Sequence, residues 1–252
     1  MVVGVSIVYD SAVPGPQTVT DQQIPTTLEV VDSHTEGEPT RVVVGGWPPL
    51  AGRSMVERRA ELKATHDHLR QAVVLEPRGH AALVGALLTP PVEADSEVGV
   101  IFFNNVGYLG MCGHGLIGVV RTLEEMGTIG PGRVRIDTPV GTIGAELAAN
   151  GAVTMENVPC HAHSLDVELE VEVLGRVVGD VAWGGNWFFL AHLPDEKLEL
   201  ANLERLLAVT KSIRRATDAA GLVPASEGEI DHIEIFASPR RADADSRNFV
   251  LC

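Results

Sequence analysis

The sequence predicts an α+β fold built from two β-rich domains, and three observations point to it. Short runs rich in Val and Leu, bounded by Gly, Pro or Asp, recur along most of the chain and read as strands. The 26 Gly and 15 Pro residues demand many tight turns between them. One stretch, 113–126, instead repeats Leu116, Val119, Val120, Leu123 and Met126 at helical spacing, with Ile117 widening the stripe. It carries no charge before Arg121, so its first half is buried on nearly every side. A second series of strands follows this helix. No sequence repeat is visible, but the organisation suggests two similar units, residues 28–160 and 161–252.

The elements follow in order. Residues 1–27 carry Pro14, Gly15, Pro16 and Pro25 without periodicity and predict a disordered extension outside the fold. The apolar segment 2–9 is short, lacks a basic flank and runs into Asp10, which argues against a signal peptide. Strands are expected at 28–31, 41–44, 73–75, 82–88 and 98–103. Residues 54–70 read as a charged surface helix with Met55, Leu62 and Leu69 at heptad spacing. His66 and His68 would diverge on it and count as surface residues. The buried helix, 113–127, ends with Gly127 placed as C′. Strands return at 133–137, 142–147, 153–158, 167–173, 176–180 and 187–190. A second surface helix, 202–219, stops at Gly221 and Pro224, and strands close the chain at 230–236 and 248–251.

Charge narrows the partners. With 19 basic and 34 acidic residues among 252, the formal net charge is 19 − 34 = −15. Phosphate backbones and anionic membrane surfaces would repel such a chain, so nucleic acid and membrane are not its partners. No apolar run is long enough to cross a bilayer. A small anionic substrate remains compatible, because a helix dipole can outweigh global charge locally. Three sparse cysteines, Cys112, Cys160 and Cys252, form no disulfide framework and point to a reducing cytoplasm.

The segment Met111-Cys112-Gly113-His114-Gly115 leads from a strand into the buried helix. Cys112 then sits among the unpaired N–H groups and positive dipole end of that helix, an environment that lowers a thiol pKa. A thiolate there can act as a base while the N–H groups hold a carboxylate, and Gly113 and Gly115 permit close approach. The plain alternative is a buried structural Cys beside a Gly-rich turn. A Cys-His hydrolase needs a histidine nitrogen within reach of sulfur. His114, two residues on at a helix start, is expected to diverge from Cys112. His161 and His163 would share a strand face near Cys160, but no further ligand set has recognisable spacing, so no metal site is expected. The polar run 32–41 serves a site or satisfies its own backbone. Trp183-Gly184-Gly185-Asn186-Trp187 favours a packing role.

Together these segments resemble the proline racemase superfamily, most closely its 4-hydroxyproline epimerase branch. The carrying stretches are 31–41, 75–79, 101–105, 111–115, 136–141, 183–189 and 245–250, so the resemblance runs from about residue 28 to the last. It implies two diaminopimelate-epimerase-like domains, each a β-rich sheet wrapped round a central helix. It also implies cofactor-independent inversion at Cα of hydroxyproline or proline, a small imino-acid substrate and a homodimer. Two cysteines on opposite faces of the ring would act as base and acid. Cys112 matches the first. Gly113 and His114 match the segment whose backbone binds the substrate carboxylate, and Asp231 and His232 fall near a substrate-contacting position.

One departure accompanies the match. The family's second cysteine lies in an Asp-Arg-Ser-Pro-Cys-Gly-Thr-Gly-Thr motif, expected soon after the segment ending at Cys252, and this sequence does not contain it. Cys160 and Cys252 match no catalytic position. The expectation is therefore a truncated chain whose second domain is incomplete and leaves an apolar sheet face uncovered. An inactive remnant and a hydroxyproline dehydratase are the alternative readings.

Overall fold

A computed structural model describes residues 3–8, 27–224 and 228–252, with residues 3–8 described as backbone only. The chain divides into two units, Met1–Val158 and Pro159–Cys252.

The first unit is built on an eight-stranded sheet. Its strands are β1 (Val3–Val8), β2 (Thr27–Thr35), β3 (Glu38–Gly45), β4 (Val84–Thr89), β5 (Val98–Phe103), β6 (Gly132–Thr138), β7 (Gly141–Leu147) and β8 (Val153–Glu156). They neighbour one another in chain order. Two pairs, β3–β4 and β5–β6, are parallel, and the rest are antiparallel. Parallel neighbours need a crossover, and helices supply both. The first crossover carries α1 (Met55–Thr65) and α2 (Asp67–Val74); the second carries α3 (Gly113–Glu125). Strand periodicity assigns the faces. Val42 and Phe102 pack with Leu116, Val119, Val120 and Leu123 of α3. Their neighbours Val43 and Phe103 pack on the opposite face with Leu62, Leu69 and Val73 of α1 and α2. α3 touches β2 and β3 on one side and β8 at the far edge, so the sheet curls around it.

α3 ends as its sequence predicts. Gly127 takes a left-handed φ of 70°. The Thr128 N–H bonds the Leu123 carbonyl at 2.9 Å, and the Gly127 N–H bonds that of Glu124 at 2.9 Å. This is the paired closure of a Schellman ending.

Three expectations fail here. The helix expected over 54–70 is two, broken at His66, whose φ of −124° and ψ of 14° leave the helical region. The break turns Leu69, Val73 and Val74 onto the sheet, and His66 is buried rather than on the surface. Residues 73–75, expected as a strand, end α2 instead. A three-residue apolar run carries too little periodicity to separate the two. Finally, part of the expected extension is in the sheet: residues 3–8 form β1, antiparallel to β2. Residues 1–2 and 9–26 lie outside the described residues.

The second unit has a five-stranded sheet in the order β13-β12-β11-β10-β9. The strands are β9 (His161–Val171), β10 (Gly175–Trp183), β11 (Trp187–His192), β12 (His232–Ala237) and β13 (Arg247–Leu251). β11 and β12 are parallel, joined through α4 (Leu203–Ala220). α4 buries Leu206, Val209 and Ile213 against Phe189, Ile233 and Ile235. The alternate residues Phe188, Leu190 and Phe236, on the opposite face, are half-buried, and Val178 and Val250 are exposed. Among the described residues, no helix is long and apolar enough to cross a membrane.

Candidate active site

Cys112 is the N-cap of α3, with an extended backbone of φ −145° and ψ 116° and no capping bond from its own side chain. Its carbonyl accepts the Leu116 N–H at 2.9 Å and closes the first turn. The N–H groups of that turn have no intrahelical acceptors, and the turn carries no acidic residue. The helix end therefore presents a positive field and backbone donors beside a half-buried thiol.

His114 does not diverge from Cys112. Its Nδ1 lies 3.6 Å from the Cys112 Sγ. The expected divergence assumed helical geometry at both residues. The extended N-cap instead swings the thiol back over the first turn. Burial pushes the His114 imidazole down, against the Glu38 charge and the Pro39 carbonyl, which pull it up. The ring is thus neutral at pH 7. Although the Pro39 carbonyl acts on it, the buried Nε2 has no partner of hydrogen-bond geometry.

The two glycines flanking His114 make room in different ways. A Cβ on Gly115 would fall 2.9 Å from Phe102 Cε1 and 3.1 Å from the Cys112 Sγ, so the thiol occupies space that only glycine leaves open. A Cβ on Gly113 would meet only the Met155 methyl at 3.0 Å. Met155, on β8, is an exposed apolar side chain beside the helix end that no sequence pattern marked.

The polar run 32–41 turns out to be the β2–β3 hairpin. Asp32 and Arg41 face each other across it and pair through both carboxylate oxygens at 2.8 Å. Arg41 also donates to the Val73 and Arg78 carbonyls at 3.0 and 2.5 Å. The hairpin thus satisfies itself at its base. At its tip, the Thr35 hydroxyl donates to the His114 carbonyl at 3.2 Å.

Asp231 and His232 belong to the second unit, at the start of β12. The Asp231 carboxylate pairs with His232 Nδ1 and accepts the Trp187 N–H at 3.4 Å. The Asp231 N–H in turn bonds the Trp187 carbonyl at 3.1 Å, and Arg214 donates to the Asp231 carbonyl at 2.5 Å. Phe188 stacks on the His232 ring with centroids 4.5 Å apart. Burial alone would lower the His232 pKa, but Asp231 and Cys252 outweigh it and push it up to about 9. Trp183-Gly184-Gly185-Asn186-Trp187 is the β10–β11 turn. Gly185 takes a φ of 100°, and the two indoles pack with centroids 5.2 Å apart. His161 and His163 share a face, as the strand period requires, and both rings meet Trp187 edge-on. Among the described residues, no group of three or more His, Cys, Asp or Glu is placed to hold a metal.

Residues 30–252 match the proline racemase family. The chain is 53% identical over 226 residues to a 4-hydroxyproline 2-epimerase of Xanthomonas campestris pv. campestris, an alignment spanning 90% of this chain and 72% of that protein. A 4-hydroxyproline 2-epimerase of Pseudomonas putida is 52% identical over 225 residues, with 89% and 72% covered. Among solved structures, a hydroxyproline epimerase from Agrobacterium vitis with bound trans-4-hydroxy-L-proline aligns with a TM-score of 0.76 at 23% identity, covering 88% of this chain and 69% of that one. A probable proline racemase from Agrobacterium radiobacter gives a TM-score of 0.76 at 24% identity, with 88% and 70% covered. Those two share the fold: mixed sheets with few helices. Since the family match takes in almost the whole chain and relatives more than half identical span most of it, this chain belongs to the proline racemase family of isomerases.

Proposed function

We propose that this chain acts in the epimerisation of 4-hydroxyproline at Cα, with Cys112 as the base on one face of the ring. The observation that carries this is the placement of Cys112 at the open end of α3, next to Gly113 and His114, in a chain 53% identical to a 4-hydroxyproline 2-epimerase.

The chemical difficulty is a weakly acidic Cα–H. The thiolate removes it: the Cα–H bond breaks, an S–H bond forms, and the electron pair moves toward the substrate carboxylate. The N–H groups of Gly113 and His114 bind that carboxylate and stabilise the charge as it builds. The His114 imidazole is kept neutral by burial, so it orients the sulfur without capturing the proton. Inversion is completed when an acid on the opposite face delivers a proton to Cα. Cys112 supplies one face, and the Asp-Arg-Ser-Pro-Cys motif expected for the other is not within these 252 residues. In the second unit, His232, held protonated by Asp231, offers a cationic donor for a substrate carboxylate or hydroxyl.

The test is deuterium exchange at Cα of trans-4-hydroxy-L-proline in heavy water, followed by proton NMR. The chain should wash deuterium into Cα. Cys112→Ala should abolish the exchange, and Cys112→Ser should impair it severely, because an alcohol is a far weaker acid than a thiol. Exchange that survives in Cys112→Ala would remove Cys112 from the role of base.

A further inference from the structure

We infer that the tip of the β2–β3 hairpin is a positioning element for the reactive thiol: Thr35 fixes the first turn of α3 at His114, and that turn fixes Cys112. This rests on the reading of Cys112 as the base.

The hairpin is bound to the helix at two levels. Along its stem it lies flush on α3, where a Cβ on Gly118 would fall 2.9 Å from Ser33 Oγ and 3.0 Å from Thr40 Cβ. At its tip, Glu36 and Gly37 take φ values of 49° and 101°. A two-residue turn with both central residues left-handed matches the strand twist and locks the register, here Thr35 opposite Glu38. The tip is therefore a rigid projection. It ends in a hydroxyl aimed at the His114 carbonyl, 79 residues away in sequence and 3.2 Å away in space.

Position matters because helix ends fray, and everything that would activate Cys112 sits in this end. The N–H groups that lower a thiol pKa belong to residues 113–115. The His114 ring lies with Nδ1 3.6 Å from Sγ, and its buried Nε2 has no partner of full hydrogen-bond geometry, although the Pro39 carbonyl acts on the ring. Glu38, on the same tip, is the charged group that acts on this ring. Tethering the His114 carbonyl holds the backbone donors and the imidazole against the sulfur together. Thr35 bonds the His114 carbonyl, not the thiol group. It is a positioning residue that works through His114.

The experiment follows alkylation of Cys112 by iodoacetamide against pH, quantified on the peptide that contains it so that Cys160 and Cys252 do not interfere. Thermal unfolding is recorded in parallel for wild type, Thr35→Val, Thr35→Ala and Thr35→Ser. In wild type the profile should rise below the ordinary thiol pKa of about 8.5. Thr35→Val and Thr35→Ala should lower the rate at neutral pH about fivefold, as for one lost hydrogen bond, and move the profile upward in pH. Thr35→Ser should restore both, and every variant should keep a cooperative unfolding transition. Wild-type profiles in Thr35→Val and Thr35→Ala would overturn the inference while leaving Cys112 as an activated base. Loss of the unfolding transition in those two would make the hydroxyl structural and also overturn it. An ordinary thiol profile in wild type would instead strike at the base assignment itself.

Discussion

Replacing Gly115 by Ala tests how tightly the thiol is seated. The residue lies in the first turn of α3, where its backbone is ordinary helix, so alanine adds no φ strain. Helix propensity alone would favour alanine by up to about 1 kcal/mol. Against that, the new methyl would fall 2.9 and 3.1 Å from two carbons of the Phe102 ring and 3.1 Å from the Cys112 Sγ. Phe102 is fully buried among Val42, Val100 and Leu116 and has nowhere to retreat. Overpacking of this kind costs about 1–3 kcal/mol, so a net loss of about 1–2 kcal/mol is expected. For a chain of this size that lowers the unfolding midpoint by about 2–8 °C. The sulfur, as the less confined neighbour, should give way and leave its contact with His114. Alkylation of Cys112 should slow accordingly. Gly113→Ala is the control. Its methyl meets only the end of the flexible, exposed Met155 side chain, so its midpoint should match wild type or rise slightly. Calorimetry and iodoacetamide kinetics on both variants decide the matter. Equal midpoints for the two, with Cys112 equally reactive in both, would refute the argument that Gly115 exists to seat the thiol.

Two further outcomes follow from buried charges. The Asp137 carboxylate is buried, which works against ionisation, but the N–H groups of Val92 and Glu93 and the hydroxyls of Ser96 and Thr142 outweigh this and hold its pKa below the usual range. Its contribution is present above the ordinary carboxylate pKa of 3.8 and is lost as pH falls through the lower folded value; Asp137→Ala, which strands four donors, should cost about 3–5 kcal/mol in urea unfolding, and a cost under about 1 kcal/mol would count against this account. His232 has the opposite sign: raised from 6.5 to about 9, it stabilises fully below pH 6.5 and that contribution is lost as pH rises through about 9. Asp231→Asn should move the His232 ring titration, followed by NMR, down by about one unit or more, and a titration that stayed near 9 would show that Asp231 is not what holds the proton.

Much of the architecture was legible because it is written in local patterns. The apolar stripe of 113–126, uncharged before Arg121, reads as a helix whose first half is buried on most sides, and Gly127 marks its end. Strands such as Val98–Phe103 announced themselves by composition and turn boundaries. Patterns failed where local signals were balanced. Residues 73–75 are apolar enough for either state, and only the packing of α2 on the sheet selected the helix. His66 looked like one surface histidine in a charged helix, but the break there buries it.

The sequence by itself determined the family, the α+β class, the buried helix and the cysteine at its start. Each of these depends on residues within one turn or one motif of one another. Only the tertiary structure decided what surrounds that cysteine. Phe102 from β5, Thr35 and Glu38 from the hairpin and Met155 from β8 arrive at one helix end from distant parts of the chain. The contact between Cys112 and His114 is not legible in the sequence, because their spacing of two suggests opposite directions on a helix. The direction of a side chain at an N-cap follows its extended backbone, φ −145° and ψ 116° at Cys112, and which groups that direction meets is decided by the strands that the sheet brings around α3.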